Sequence, residues 1–349
     1  MSKSSPVFIK GPYSNFDLGA RWSFWNRRVT SGSLPTGAFP LAKPKPNKNR
    51  KNQNRKVRGK PGRVVETVGR RVRVADEAGD RVCYLAGKRA VVGDRVMWEE
   101  APGTGGKLVC VLERESALYR RDNQGKDRVL AANLRGVVVV MSPQRPAFNA
   151  NLMDRYLVAI AGAGLEAAIC LNKIDLEVST EVEAELALRA SLGFPILRTC
   201  STDGRGLEEV RSLIGANPSV GAWAFMGLSG VGKTSLVAAL LPEQDVGAIG
   251  EVSEHWEQGQ HTTTYSKIFS LPQGGEVCDS PGIRTFSPAG LTREQVRDFY
   301  PGMGDLRCQF RDCMHREGQK GCEAPDLINP SMLKAYRRLL EWVESQREY

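Results

Sequence analysis

Short segments in which apolar and polar residues alternate dominate the chain between residues 61 and 118. Five such segments are separated by turns that contain glycine. Their period of two residues is typical of half-buried β-strands. The pattern predicts strands at 63–67, 71–75, 81–85, 94–99 and 107–112. Five short strands at this spacing predict a small β-barrel, and a five-stranded OB-like barrel fits the length.

From residue 119 onward the pattern changes to continuous apolar runs that alternate with helical segments. Residues 137–141 form an uninterrupted apolar run, as expected of a strand buried on both faces. The other predicted strands are 167–171, 222–226 and 276–279, and the predicted helices are 151–163 and 182–192. This order predicts a doubly wound α/β domain over 119–290. A final helix at 331–345 belongs to a small α-helical domain predicted over 291–349.

The first 60 residues differ in composition from the rest of the chain. They contain fourteen Lys or Arg residues and one acid, Asp17, whereas the whole chain has a formal net charge of +10. The segment 43–60 has no acid and almost no apolar residue, so we predict a disordered basic extension over 1–60. A polycation of this density favours a polyphosphate partner through counterion release. The alternative is a solubilising or neutral tail.

Cysteine usage indicates a reduced compartment, and hydropathy argues against a membrane span. No segment approaches the ~20 apolar residues needed to span a membrane, so we expect a cytoplasmic bacterial protein without membrane contact. An organelle transit peptide is the alternative reading of the acid-poor start. We also expect a monomer. Five cysteines stand singly in apolar, strand-like contexts and are expected to be buried small hydrophobic side chains: Cys83, Cys110, Cys170, Cys200 and Cys278.

A glycine-rich segment between a predicted strand and a helical segment carries the phosphate-loop signature G-x-x-x-x-G-K-[ST]. Glycines in such a loop let backbone N–H groups converge on phosphates at a helix N-terminus. Lys233 is expected to reach the β- and γ-phosphates, and Thr234 is expected to ligate Mg²⁺. The predicted nucleotide-binding residues of this loop are Gly227, Leu228, Ser229, Gly230, Val231, Gly232, Lys233, Thr234 and Ser235.

A second motif, Asn-Lys-Ile-Asp, follows the run 167–171 and selects guanine. The Asp175 carboxylate can accept from both N1–H and the exocyclic amine of guanine. Adenine has no N1–H and would leave that carboxylate facing an acceptor. The residues predicted to bind the base are Asn172, Lys173, Ile174 and Asp175. The segment 199–202 is predicted to support the base from the other side, through Ser201 and Thr202.

Two further segments are predicted to surround the γ-phosphate. Asp279 ends a strand and can hold Mg²⁺ through water, and the Gly282 N–H can bond the γ-phosphate. Ile283 stands where many G proteins place a glutamine that orients water, so His261 is the candidate for that task. The alternative is that His261 only shapes its loop or touches RNA. The adjacent hydroxyls, one of which is expected to close onto Mg²⁺, are Thr262, Thr263 and Thr264; alone, they would equally suit a polar turn.

The order of these motifs differs from that of an ordinary G domain. Here the guanine motif precedes the phosphate loop, the threonines and Asp279. The same site can be built by a circularly permuted chain, which is tolerated where domain termini lie close together. The chain after Asp279 then runs directly into the C-terminal domain.

A Cys/His cluster near the C-terminus has the composition of a closed metal site. Its spacing is Cys-x4-Cys-x-His-x6-Cys. Three thiolates and one imidazole complete a tetrahedral zinc shell, so we predict one structural zinc per chain rather than a catalytic one. The alternative is unliganded cysteines in a helical tail. The predicted ligands are Cys308, Cys313, His315 and Cys322.

In this order the barrel, the permuted motifs and the Cys/His segment closely resemble the RsgA (YjeQ) family of small-ribosomal-subunit-dependent GTPases. The similarity runs from about Gly62 to the C-terminus and includes Ala131-Ala-Asn133 and Asp154-Arg-Tyr-Leu157. The resemblance implies a low-turnover GTPase, stimulated by the small subunit, that assists late maturation of its decoding region. It also implies that the barrel and the zinc domain contact ribosomal RNA.

The chain departs from the family pattern in three places. These are the first 60 residues, Gln260 where a basic residue is usual, and one extra residue between His315 and Cys322.

Two functions remain open. One is an enzyme that hydrolyses GTP on the ribosome, and the other is an RNA-binding assembly placeholder in which GTP only sets affinity. An adenylate-using P-loop enzyme is disfavoured by Asn172 and Asp175.

Overall fold

The computed structural model describes residues 58–102, 105–121, 127–217, 221–241, 265–284, 286 and 291–345. Almost all of the basic extension predicted over 1–60 lies outside the described residues. The segment from His261 to Thr264 also lies outside them.

The N-terminal part of the described chain is a closed five-stranded barrel, as predicted. Neighbouring strands follow the order β1-β2-β3-β5-β4, and β1 also pairs with β4. Valine side chains on alternate positions, together with Trp98 and Leu108, fill its interior. The strands are β1 (Lys60–Val68), β2 (Arg71–Asp76), β3 (Gly79–Tyr84), β4 (Arg95–Ala101) and β5 (Gly105–Val111).

The α/β domain is built on a largely parallel sheet with the order β10-β9-β8-β11-β13-β12. Every residue of the central strand β8 is buried, which explains its uninterrupted apolar sequence. The strands are β8 (Gly136–Met141), β9 (Glu166–Asn172), β10 (Ile196–Thr199), β11 (Trp223–Met226), β12 (Ser266–Ser270) and β13 (Glu276–Asp279). The helices are α1 (Ala150–Gly162), α2 (Thr180–Ser191), α3 (Leu207–Gly215), α4 (Lys233–Leu240) and α5 (Pro281–Arg284).

The barrel and the α/β domain share one continuous sheet. Strand β12 runs antiparallel to β13 on one side and to β1 of the barrel on the other, with Glu66 opposite Lys267. An ion pair of 2.6 Å between Arg63 and Glu276 reinforces this junction. The sequence pattern did not predict β12, because its five residues begin and end with serine and alternate too briefly to register.

A hairpin that the sequence pattern also missed follows the barrel. It consists of β6 (Ala117–Arg121) and β7 (Asp127–Ala132). The buried side chain of Asn133 joins it to the barrel, since its Nδ2 donates to the Gly93 carbonyl over 2.9 Å. The Asn133 Oδ1 accepts from the Glu115 N–H over 2.9 Å. The Ala-Ala-Asn motif therefore has a structural role at this junction.

The C-terminal part is helical, as predicted. It contains α6 (Arg293–Phe299), α7 (Ala324–Leu327) and α8 (Pro330–Ser345). Thr292 begins α6 with a reciprocal capping box to Gln295. Helix α8 buries an apolar stripe at helical spacing that includes Met332, Tyr336 and Leu339. No helix in the described part of the chain is long and apolar enough to cross a membrane.

Candidate functional site

The phosphate loop joins β11 to α4, and two of its glycines have no room for a side chain. At Gly227, with φ of 150°, a Cβ would lie 2.2 Å from the Val140 carbonyl oxygen. At Gly232, with φ of 92°, a Cβ would lie 2.3 Å from the Asn172 side-chain nitrogen. Glycine is therefore required at both positions by backbone conformation and by close packing.

Lys233 is the first residue of α4, and its side chain folds back over the loop that precedes it. Its Nζ donates to the carbonyl oxygens of Gly227, over 2.9 Å, and Leu228, over 2.6 Å. The side chain is almost fully buried. The cation is thus held above the loop whose N–H groups are predicted to bind phosphate. Leu228 itself is one of the exposed large apolar residues.

The guanine motif is hydrogen-bonded to the phosphate loop. Asn172, at the end of β9, donates from Nδ2 to the Val231 carbonyl over 2.9 Å. Lys173 donates from Nζ to the Gly230 carbonyl over 2.6 Å and to the Arg145 carbonyl over 2.8 Å. These contacts bring two of the predicted segments together at the carboxyl edge of the parallel strands, where ligands bind in open α/β sheets.

Two side chains of the predicted supporting segment, neither of them named as a site residue, orient the guanine motif. Thr199 Oγ1 donates to Asn172 Oδ1 over 3.0 Å. The buried Cys200 thiol donates to Asp175 Oδ1 over 3.2 Å and lies 3.0 Å from Thr202 Oγ1. The Asp175 carboxylate is otherwise exposed and faces solvent. The available signal was position: both residues stand at the end of β10, next to the strand that carries the guanine motif.

The buried Cys170 also contacts Thr199, one of the two residues that orient the guanine motif. Cys170 Sγ lies 3.2 Å from Thr199 Oγ1. Burial raises the pKa of the Cys170 thiol to about 12, so the sulfur stays protonated and acts as a neutral hydrogen-bonding group. Four of the five cysteines expected to be buried are so; Cys110 is half-buried.

The end of β13 and the residues after it, including the short helix α5, form a compact turn whose described residues are 279–284 and 286. Asp279 is buried at the end of β13, two strands from β8. The next residue, Ser280, has its hydroxyl 3.0 Å from that of Ser266, the first residue of β12. Ile283 is buried and so has an apolar packing role. At Gly282 a Cβ would lie 2.8 Å from Leu130 of β7, so the hairpin packs directly on this turn.

The predicted metal ligands come together in the C-terminal part. One ligand atom from each of Cys308, Cys313, His315 and Cys322 lies within 4.8 Å of every other. His315 Nδ1 is 3.5 Å from the sulfurs of Cys308 and Cys322 and 3.6 Å from that of Cys313. His315 adopts a φ of 53°, a conformation uncommon for a residue other than glycine. The cluster can hold a metal ion.

Known proteins are similar to this chain in sequence and in fold. The sequence model of the RsgA GTPase family matches residues 111–289. The "Small ribosomal subunit biogenesis GTPase RsgA" of Azotobacter vinelandii is 39% identical over 296 residues, which cover 80% of this chain and 84% of that protein. The protein of the same name from Marinobacter nauticus is 40% identical over 272 residues, covering 74% and 75%. The chain belongs to the RsgA GTPase family.

Membership of the RsgA GTPase family makes the protein a GTP hydrolase with a permuted G domain. Solved structures agree on the fold. YjeQ from Thermotoga maritima matches with a TM-score of 0.63 at 24% identity, over 82% of this chain and 99% of that one. YloQ, described as a circularly permuted GTPase, matches with a TM-score of 0.61 at 19% identity, over 82% and 96%.

Proposed function

We propose that this protein binds the small ribosomal subunit, assists its late maturation, and hydrolyses GTP to GDP and phosphate with stimulation by that subunit. The observation that carries the proposal is the hydrogen bond from Asn172 of the guanine motif to Val231 of the phosphate loop, in a chain of the RsgA GTPase family. Its relatives carry the name of a small-ribosomal-subunit biogenesis GTPase. The proposed setting is the cytoplasm, and the proposed form is a monomer.

The nucleotide chemistry follows from the residues at the sheet edge. Asp175 reads N1–H and the exocyclic amine of guanine, with Ser201 and Thr202 on the other side of the base. Lys233 neutralises charge on the β- and γ-phosphates. In this structure Lys233 bonds two carbonyls of its own loop, and these bonds would be exchanged for phosphate oxygens when the nucleotide binds.

Magnesium fits the hydroxyl and carboxylate donors of the same site. Thr234 follows Lys233 at the start of α4, where a hydroxyl can ligate the ion directly, and Asp279 would hold it through water. Gly282 offers its N–H to the γ-phosphate, and one of Thr262, Thr263 and Thr264 would complete the shell. Bound magnesium would neutralise charge that develops on the phosphates.

We assign the Cys/His cluster to one structural zinc ion. A tetrahedral zinc with bonds of about 2.3 Å to sulfur and about 2.0 Å to nitrogen places these atoms about 3.5 Å apart. The distances from His315 Nδ1 to the three sulfurs are 3.5 to 3.6 Å. Four protein ligands leave no open position, so this ion would stabilise the fold and take no part in catalysis.

A cation–aromatic pair and an exposed ring support an RNA-binding role. On the barrel, the Arg71 guanidinium lies 5.1 Å from the ring centroid of the half-buried Tyr84. In the metal loop, Phe310 is 50% exposed between two proposed ligands. An exposed ring such as Phe310 suits stacking on unpaired bases, and a cation such as Arg71 suits contact with phosphates.

The test is GTP hydrolysis with and without purified small ribosomal subunits. The proposal expects slow turnover alone and a large increase with subunits, and Lys233→Ala should abolish both. The second candidate function is an RNA-binding placeholder in which GTP only sets affinity. It predicts GTP-dependent subunit binding with unchanged turnover, so this one comparison separates the two.

A further inference from the structure

Three consecutive residues of helix α1 contact three different parts of the molecule. Asp154, almost fully buried, pairs with the buried Arg189 of α2 at 2.6 Å and with Arg338 of α8 at 3.5 Å. The Arg155 guanidinium lies 4.0 Å from the ring centroid of Trp342, also on α8. These contacts fix α1 against both α2 and the C-terminal helix.

The third residue, Tyr156, contacts the turn that carries Asp279 and Gly282. Its hydroxyl donates to the Phe286 carbonyl over 3.1 Å, and the two rings pack with centroids 6.3 Å apart. The Tyr156 side chain is 2% exposed. Phe286 is the last residue of that turn in the described chain before Leu291.

Short-range hydrogen bonds connect Phe286 back to the start of the turn. The Ile283 N–H donates to the Ser280 carbonyl over 3.0 Å, and the Phe286 N–H donates to the Ile283 carbonyl over 3.1 Å. Among the described residues of the turn, these two bonds link Ser280, Ile283 and Phe286, and the turn has two anchors outside it. The Ser266 hydroxyl holds its beginning, and the Tyr156 hydroxyl holds its end.

We propose that Tyr156 is a positioning residue for GTP hydrolysis. Its hydroxyl holds the end of the turn, so the Gly282 N–H stays where the γ-phosphate needs it. The inference rests on the proposed role of Gly282. A donor that is already in place costs no reorganisation when charge develops on the phosphate. Tyr156 acts on the nucleotide indirectly, through its contact with the turn. Helix α1, which carries Tyr156, is itself held in place by α8.

The proposal makes a specific distinction between nucleotides. GDP lacks the γ-phosphate and does not use Gly282, whereas a GTP analogue does. Loss of the Tyr156 hydroxyl should therefore weaken the GTP analogue and leave GDP binding unchanged. A general loss of stability would weaken both nucleotides alike.

The experiment compares Tyr156→Phe with Tyr336→Phe in the full chain with its metal. Tyr336 is an equally buried tyrosine whose hydroxyl donates to the Met314 carbonyl over 3.0 Å in the C-terminal part. Dissociation constants for GDP and a non-hydrolysable GTP analogue are measured, together with single-turnover GTP hydrolysis. For Tyr156→Phe we expect the ratio of the two constants and the hydrolysis rate each to change about three- to tenfold, as for one lost hydrogen bond. Tyr336→Phe should keep both at the wild-type value.

Two results would overturn the positioning role of Tyr156. One is a wild-type ratio and rate in Tyr156→Phe, and the other is an equal effect of both substitutions. A wild-type chain that does not hydrolyse GTP would be a different failure. It would count against the proposed function first and would remove the inference with it.

Discussion

The Asn172 side chain donates a hydrogen bond to the Val231 carbonyl, although 59 residues separate the two in the chain. The contact joins the end of β9 to the phosphate loop, and a Cβ at Gly232 would collide with the same amide nitrogen. The nucleotide site thus depends on which strand ends are neighbours and not on the order in which the chain visits them. This is why a permuted order of motifs can form the same site.

Guanine selectivity should depend on the Asp175 carboxylate. Asp175→Asn replaces an acceptor with a mixed donor and acceptor, so GTP binding should weaken by about 2–3 kcal/mol while xanthine nucleotide is tolerated better. Titration calorimetry measures the affinity of the variant for each of the two nucleotides. Asp203→Asn is the matched control, because Asp203 is an exposed carboxylate of the neighbouring loop paired with Arg205. Unchanged GTP affinity in Asp175→Asn would remove the assignment of the base pocket.

The thiol beneath Asp175 should contribute to GTP affinity by orienting that carboxylate. Cys200→Ala removes the donor to Asp175 Oδ1, and we expect GTP to bind more weakly by about 1 kcal/mol. Cys200→Ser keeps a donor and should bind GTP nearly as the wild type does. Cys110→Ala, in the barrel, controls for the loss of a thiol. If alanine and serine at position 200 behave alike, the hydrogen bond does not matter for binding.

Periodicity predicted the elements whose burial is one-sided or complete. The barrel strands alternate, β8 is apolar throughout, and α8 has a helical stripe, so each pattern identifies its element. Strand β12 and the β6–β7 hairpin were missed because short strands with charged or hydroxyl residues leave little periodic signal. Their existence depends on pairing with distant strands, and pairing partners are not written locally in a sequence.

Motif spacing predicted the chemistry of the site but not the side chains that orient it. The phosphate loop and the guanine motif have fixed spacings because backbone geometry imposes them. Thr199 and Cys200 act through contacts with a neighbouring strand, which spacing does not encode. The same holds for Tyr156, whose partner Phe286 lies 130 residues away.

Removal of the metal should unfold the C-terminal part, because the ion stabilises the fold and has no direct role in the nucleotide chemistry. Elemental analysis should find about one zinc per chain, and Cys313→Ser should expose the region after residue 300 to protease, because binding energy at such a site is folding energy. Cys110→Ser, which changes a half-buried barrel cysteine, is the control and should keep both metal and protease resistance. A well-folded protein without metal would contradict the zinc assignment.

The basic segment should add affinity for RNA that does not depend on sequence. Deleting residues 1–57 removes most of the cationic residues of the N-terminal segment, so the salt dependence of small-subunit binding should flatten. GTP hydrolysis by the isolated protein should not change. Binding is measured by sedimentation over a range of salt concentrations. A chain in which the same Lys and Arg residues are replaced by Gln separates charge from length, and an unchanged salt slope in both variants would favour a neutral tail.

Water activation is predicted to depend on His261. Ile283 occupies the position where a glutamine would orient the attacking water, and it is buried, so it cannot serve. His261 precedes the three threonines predicted to close over the γ-phosphate, and a neutral imidazole can accept a hydrogen bond from water. His261→Ala should retain binding of GTP and small subunit while stimulated turnover falls by roughly 10²-fold or more. His255→Ala, which changes a histidine six residues earlier in the sequence, is the control for a general effect of losing a histidine from this segment. Full stimulated turnover in His261→Ala would mean that the ribosome itself supplies the group that positions water, because the turn from Asp279 to Phe286 offers none at position 283.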